Sequence, residues 1–401
     1  MRELLEQVLE LLPREPVALA RIVDRTGAGP RETGAAMAVT ADGRVIGSLS
    51  GGCVESSIVA TAEAVLRDGV ASLERFAAAD ELAVGLPCGG EIEVFVERLD
   101  QTVLPLLREL STALNAGTAV AYATTLESAP DRTLLYPGRS APSRALDQDA
   151  AALGAGQAVA YVTTSASAAD RALLEPWRSL DQDAAALLAT GRSGLIGGQD
   201  GTPAAAVRPR TFVQVFRSPA RMILAGANDY SRALTVAAAR LGYHVTVVDA
   251  RETFTTPARF PAADAVVVDW PHRYLDAEHR AGRIDHRTVI CVLTHDPKFD
   301  VPMLARAVRL PVAFVGALGS RRAHADRTRR LREAGLHDTE IARVHSPLGL
   351  DLGAHTPDET AISVLAQILA ERAAATGRPL DTLEGPIHRP PRPENRSATN
   401  D

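Results

Sequence analysis

The spacing of apolar and polar positions divides the chain into three zones. Residues 1–15, MRELLEQVLELLPRE, set leucines at helical spacing among acids and predict an amphipathic helix. Val17–Val23 reads as a strand, followed by the loop Thr26-Gly-Ala-Gly-Pro-Arg31. Gly34–Val39 and Arg44–Leu49 predict two strands joined through Ala41-Asp-Gly43, a hairpin turn in which glycine accepts positive φ. A glycine turn, GSLSGGCVE (Gly47–Glu55), leads into a helix from about Val54 to Arg67. Glu91–Glu97 alternates strictly, as a strand with one wet face does.

The middle zone holds an internal repeat. Gly117–Thr125 (GTAVAYATT) recurs as Gly156–Thr164 (GQAVAYVTT), and Leu146–Ala150 recurs as Leu180–Ala184. Two copies make a local duplication, since a solenoid needs at least three stacked units. One copy is expected to form a small strand-helix unit, the other an insertion; neither is given chemistry. From Met222 the pattern changes to short continuous apolar runs separated by helical stretches: Met222–Ala225, Val245–Val248, Ala265–Val268, Val289–Leu293 and Val312–Val315. Such runs predict a parallel sheet covered on both faces. The resulting expectation is an α/β protein: an N-terminal α+β domain over 1–99, a duplicated segment or linker over 100–218, a Rossmann-like domain over 219–376 and a disordered tail over 377–401.

A formal net charge of −6 argues against the broad basic field that bulk nucleic-acid binding needs. The start of the chain lacks the basic flank and apolar core of a signal peptide, and no apolar run reaches the ~20 residues that span a bilayer. Three scattered cysteines are too few for a disulfide framework. A soluble cytoplasmic protein without membrane or nucleic-acid partners is expected.

Chemistry concentrates in turns. The third zone's first strand runs into Gly226-Ala-Asn-Asp229, a helix, and a strand ending at Asp249, the order of a dinucleotide-binding unit. Only the first glycine of the usual loop is present, and the Asn228 side chain intrudes where a phosphate would approach. This loop therefore either binds phosphate or serves as a packing turn. His295 and Asp296 follow the fourth strand directly, at the edge where such sheets bind ligands. Gly316-Ala-Leu-Gly-Ser-Arg-Arg322 leaves amides open beside Ser320 and Arg321, which suits an anion; a solvated helix start is the other reading. Asp351, between Gly349 and Gly353, either reaches a ligand or braces its loop. Thr356-Pro-Asp-Glu359 reads as a capping box.

Cys53 sits between Gly51-Gly52 and a helix start, which favours thiolate, and Cys88 opens a second turn with Gly89 and Gly90. Thiolates suit a soft metal, sulfur transfer or a thiolene; buried small side chains in tight turns are the alternative. Zinc is not expected, because neither cysteine belongs to a CxxC pair.

Pro30–Glu55, Leu86–Glu97, Leu241–Arg251, Val292–Leu304, Val315–His324 and Ser346–Ile368 together resemble the XdhC/CoxI family, accessory proteins that mature xanthine dehydrogenase and related molybdenum hydroxylases. The resemblance implies a non-catalytic chaperone that binds the molybdenum cofactor, as molybdopterin or its dinucleotide form. It implies assistance by a cysteine desulfurase in sulfuration, delivery to the apo-hydroxylase, and a homodimer. By it, Cys53 and Cys88 become contacts to the metal or sulfur relays. Gly51, Gly52, Gly226, Asp249, His295, Asp296, Ser320, Arg321 and Asp351 become cofactor-binding positions. Asn228 departs from the glycine that many members carry, and Gln367 from a glutamate. An NAD(P)-dependent oxidoreductase and a nucleotide-binding regulator stand as the alternatives.

Overall fold

The computed structural model describes residues 1–27, 31–77, 90–137, 159–163, 181–198, 209–384 and 387. Two compact units divide the chain, one built on Met1–Ser218 and one on Pro219–Gly385.

In the first unit, a 3-10 turn leads into α1 (Leu5–Leu11). Strands β1 (Val17–Thr26), β2 (Ala36–Thr40), β3 (Val45–Gly47), β4 (Ser72–Phe76) and β5 (Glu91–Leu99) form an antiparallel sheet in the order β3-β2-β1-β5-β4. Alternation along β1 sends Ala18, Ala20 and Ile22 to one face, where Ile58, Ala62 and Val65 of α2 (Glu55–Asp68) cover them. Val17 and Leu19 point the other way, into a core shared with α1 and α3 (Leu104–Asn115).

That core is closed by a second sheet. Strands β6 (Val120–Thr125), β7 (Arg132–Pro137), β8 (Val159–Thr163), β9 (Gly194–Ile196) and β10 (Thr211–Phe216) are ordered β8-β7-β6-β10-β9. Val120, Tyr122, Leu134 and Tyr136 face the shared core, while Ala121, Ala123 and Leu135 pack under Ala184 and Leu188 of α4 (Asp181–Thr190). The repeated sequence thus contributes β6 from one copy and β8 from the other, with β7 paired between them. Residues 146–150 lie outside the described residues.

Between the sheets sits a buried ionic group. Arg21 Nη2 donates to Glu97 Oε1 at 2.6 Å and to Thr124 Oγ1 at 2.7 Å, and Arg132 Nε donates to Glu97 Oε2 at 2.7 Å. The Arg21 guanidinium also lies 5.0 Å from the Tyr122 ring centroid. Burial pushes the Tyr122 hydroxyl up to about 12.

The second unit is a six-stranded parallel sheet: β11 (Arg221–Ala225), β12 (His244–Asp249), β13 (Ala265–Val268), β14 (Val289–Val292), β15 (Phe314–Ala317) and β16 (Val344–His345). Its order, β13-β12-β11-β14-β15-β16, is that of the dinucleotide-binding fold, with the reversal between β11 and β14. Met222 and Leu224 pack under α5 (Asp229–Arg240) and α9 (Pro357–Ala373). Ile223 and Ala225 face the opposite layer of α6 (Pro271–Arg280), α7 (Pro297–Ala307) and α8 (Arg321–Glu333). The fifth strand begins two residues later than its apolar run suggests, because the ladder to β14 opens at Phe314. It continues through Gly316, where a Cβ would meet Leu348 Cδ1 at 2.5 Å. Among the described residues no helix is long and apolar enough to cross a membrane.

Candidate functional site

The parallel sheet gathers most of the expected residues at one edge. Gly226 follows β11, Asp249 ends β12, His295 and Asp296 follow β14, Ser320 and Arg321 follow β15, and Asp351 lies six residues beyond β16. Gly226 has φ +120°, and a Cβ there would meet Thr294 Cγ2 at 2.6 Å. Glycine is therefore required by the close approach of the β14 exit. Asn228 caps α5, accepting from the Ser231 amide at 3.0 Å, and its Nδ2 donates to Leu293 O at 2.8 Å. Its side chain thus bridges the exits of β11 and β14, where a pyrophosphate would lie. Asp229 adds an exposed carboxylate to the first turn of α5, which opposes an anion there.

Asp249 is 1% exposed and both of its oxygens are engaged. Oδ2 accepts from the Ala227 amide (2.8 Å) and Arg251 Nη2 (2.6 Å), and Oδ1 accepts from the Arg251 amide and Nε (2.9 Å each). Burial pushes this carboxyl upward, but the Arg251 fork and the two amides outweigh burial and hold it below the usual carboxylate range. In a dinucleotide-binding unit the acid at this strand end receives a ribose hydroxyl; here both oxygens of Asp249 go to Ala227 and Arg251.

At the next strand ends, Asp296 caps α7 through the Lys298 amide (3.1 Å) and pairs with Lys298 Nζ (3.1 Å). These bonds lower its pKa, the Lys298 side-chain bond foremost. His295 is exposed. Thr294 Oγ1 donates to buried Asp300, and Asp300 Oδ2 accepts from buried Arg327 Nη2 at 3.0 Å. Burial raises the Asp300 pKa despite these partners. Asp300 and Arg327 line a partly open cavity of about 80 Å³ with His295, Asp326 and Arg330, ample for ordered water at the roughly 10–15 Å³ that one requires. Ser320 caps α8, accepting from the Ala323 amide at 3.2 Å. The first turn of α8 carries no acid, and among the described residues the exposed Arg321 and Arg322 have no carboxylate partner. Both guanidiniums stand at the start of α8. Asp351 is exposed and without a partner among the described residues. Gln367 bridges the loop before it, accepting from the Gly349 amide at 2.7 Å and contacting His345 Nδ1 at 3.3 Å.

The Cys53 turn belongs to the first unit, and its amides are not open. The Glu55 carboxylate folds back into the turn. It accepts from the amides of Leu49 (3.1 Å), Ser50 (2.7 Å), Gly51 (3.0 Å), Gly52 (2.9 Å) and Val54 (3.3 Å), and from the hydroxyls of Ser48 (2.8 Å) and Ser50 (2.5 Å). Positive φ at Gly51 (85°) and Gly52 (129°) lets the chain wrap this carboxylate. Burial opposes the charge, but the donors hold Glu55 far below its ordinary value. Ser50 Oγ accepts from the Cys53 amide at 2.9 Å, so the thiol's backbone hangs from the same tether. The Cys53 side chain is half-buried against the α2 core. Glu55 was missed as a site residue because the first acid of a helix ordinarily reads as a dipole partner. Cys88 and Gly89 lie outside the described residues. Cys291, the third cysteine, is buried in β14 and its thiol is pushed up to about 12. Among the described residues no group of three or more His, Cys, Asp or Glu side chains is arranged to hold a metal.

Comparison with known proteins decides between the scaffolds. Residues 11–77 match the XdhC and CoxI family, and residues 222–368 match the XdhC Rossmann domain. The chain belongs to the XdhC/CoxI family. It is similar to the protein named molybdenum cofactor insertion chaperone PaoD of Escherichia coli K12, 24% identical over 363 residues that make up 90% of this chain and 85% of PaoD. It is similar to a Bacillus subtilis 168 protein named as a probable xanthine dehydrogenase subunit, 27% identical over 92% of this chain and 96% of that one. With the uncharacterized protein YqeB of E. coli K12 it shares 35% identity over 169 residues, which span only 30% of YqeB. A Bacillus halodurans crystal structure described as a xanthine dehydrogenase superposes with a TM-score of 0.63 at 23% identity, covering 91% of this chain and 94% of that one, which shows a shared fold. In this XdhC/CoxI chain the two family segments fall in different units, the cysteine turn in the first and the cation-bearing sheet edge in the second.

Proposed function

We propose that this XdhC/CoxI protein works in the cytoplasm as a maturation chaperone. It binds the molybdenum cofactor, assists its sulfuration by a cysteine desulfurase and delivers it to an apo-hydroxylase of the xanthine dehydrogenase type. The observation that carries this reading is the similarity along 90% of the chain to a protein named as a cofactor insertion chaperone. The sheet edge supports it. Asn228 and Asp229 obstruct the pyrophosphate position that a nicotinamide dinucleotide uses, while Ser320, Arg321 and Arg322 offer an unpaired guanidinium pair beside a helix start for the pterin phosphate. Cys53 supplies a half-buried thiol at the end of a tethered turn, suited to a contact with the metal or to sulfur relay. Cys88 and a homodimeric assembly belong to the same reading.

The cofactor and its metal are cargo here, and the chain's own part is to hold and shield them. The test is reconstitution. Hydroxylase purified from a strain lacking this protein should contain cofactor without its terminal sulfur, and adding cofactor-loaded protein with a desulfurase should restore activity. Full activity of the hydroxylase in the deletion strain would refute the role.

A further inference from the structure

The exit of β12 carries a second constellation that the maturation reading does not use. In a sheet of this order, the residue ending the second strand ordinarily receives the adenosine ribose diol. Asp249 has no oxygen left for it, since four donors from Ala227 and Arg251 fill both. The group presented outward instead is Arg251, whose side chain is 46% exposed and whose Nη1 is not used by Asp249. Its guanidinium lies 5.0 Å from the ring centroid of Phe254, itself 44% exposed, and Arg259 lies 5.5 Å from the same ring. Arg259 Nη1 donates to Phe254 O at 3.1 Å, which ties the second guanidinium to the residue whose ring the first one faces. Among the described residues no carboxylate pairs with Arg259. The acids nearby are Glu252, exposed in the same loop, and Asp296, whose charge reaches Arg251 but which is paired with Lys298.

We propose that this exit is a receptor for an adenosine bearing a phosphomonoester on its ribose, with Phe254 and Arg251 stacking the base and Arg251 with Arg259 holding the phosphate. A phosphate dianion needs the cationic donors that a ribose diol does not, and a neutral diol needs the acceptor that Asp249 no longer offers. Both a 2′-phosphate and a 3′-phosphate on an adenosine ribose present this chemistry. The proposal does not depend on the chaperone reading, because it concerns the β12 exit alone.

Calorimetry with three small probes tests it on the full chain: adenosine 2′,5′-bisphosphate, adenosine 3′,5′-bisphosphate and AMP. At least one bisphosphate should bind about tenfold or more tightly than AMP, the increment expected of a charge-assisted hydrogen bond. The tighter of the two identifies the source. Arg259→Ala should bring that bisphosphate to within about twofold of AMP while leaving AMP unchanged, and Arg259→Lys should restore part of the preference. Arg251→Ala, which frees Asp249, should narrow the preference further. Equal binding of all three probes by the unaltered chain, absence of bisphosphate binding at millimolar concentration, or a preference untouched by Arg259→Ala in a protein with unchanged melting temperature would each overturn the assignment.

Discussion

Replacing Glu55 by alanine removes the acceptor on which the whole Cys53 turn converges. Seven donors lose their partner, but they do not lose equally. Gly51 and Gly52 are exposed, so their amides return to water. Leu49 and Val54 are fully buried, and although the Val54 amide keeps Ser50 Oγ at 3.1 Å, the Leu49 amide is left without a partner. A stranded buried donor costs about 1–3 kcal/mol, and the lost charge-assisted bonds from the serine hydroxyls add roughly 1 kcal/mol. The expected loss is about 3 kcal/mol, or roughly 6–12 °C in the melting temperature of a unit of this size. Glu55→Gln keeps one acceptor oxygen and should lose about half as much. The difference from wild type is pH-dependent with a definite sign. The folded-state pKa of Glu55 is lowered from 4.5, so its stabilisation is complete above that ordinary value and is lost as pH falls toward the depressed one. Thermal melts at several pH values should therefore show a full gap near neutrality that closes progressively in acid below 4.5. Iodoacetamide labelling of Cys53 should also accelerate once its tether is cut. A melting temperature within about 2 °C of wild type, or a gap that widens in acid, would contradict the tethered-turn account.

Other consequences follow from single contacts. Glu97→Ala leaves Arg21 and Arg132 facing each other without their shared counter-ion in the core of the first unit. It should cost about 3–5 kcal/mol in urea unfolding, and a loss under 1 kcal/mol would show the pair to be dispensable. Gly226→Ala drives a Cβ into Thr294 at 2.6 Å from a backbone at φ +120° and should destabilise the second unit by roughly 2–4 kcal/mol, read by limited proteolysis or melting. The double change Arg321→Ala with Arg322→Ala touches no ion pair among the described residues and should leave melting unchanged while lowering the amount of retained pterin several-fold. Cys53→Ala should likewise reduce retained pterin, and unchanged pterin content would remove the thiol from the site.

The parallel sheet was legible because its strands are short apolar runs, buried in the inner strands and half-buried in the edge strand β13, and Met222–Ala225 through Val289–Leu293 fall on β11 to β14. The capping box at Thr356 was legible for a local reason: Thr356 Oγ1 accepts from the Glu359 amide and Glu359 Oε2 from the Thr356 amide. What escaped the sequence depends on partners whose spacing carries no periodic signal. Glu55 reaches back over seven residues of turn, Arg251 turns onto Asp249 from two residues away, and Arg21 meets Glu97 and Thr124 from strands of two sheets. Strand β4 was missed because Ser72-Leu-Glu-Arg-Phe76 sets charges between its apolar positions at a sheet edge, where only one face needs to be buried. The pairing of β6 and β8 with β7 between them is equally invisible in a repeat, which shows likeness of segments and not their neighbours.

The central claim is that this chain retains the molybdenum cofactor. Purified without oxygen from a host that makes the cofactor, the protein should carry molybdenum and a pterin that oxidises to a fluorescent derivative, in near-equal amounts, with both reduced together in the Cys53→Ala and Arg321→Ala/Arg322→Ala variants. Protein that emerges folded and free of both, under conditions in which a molybdenum hydroxylase from the same cells is loaded, would contradict it.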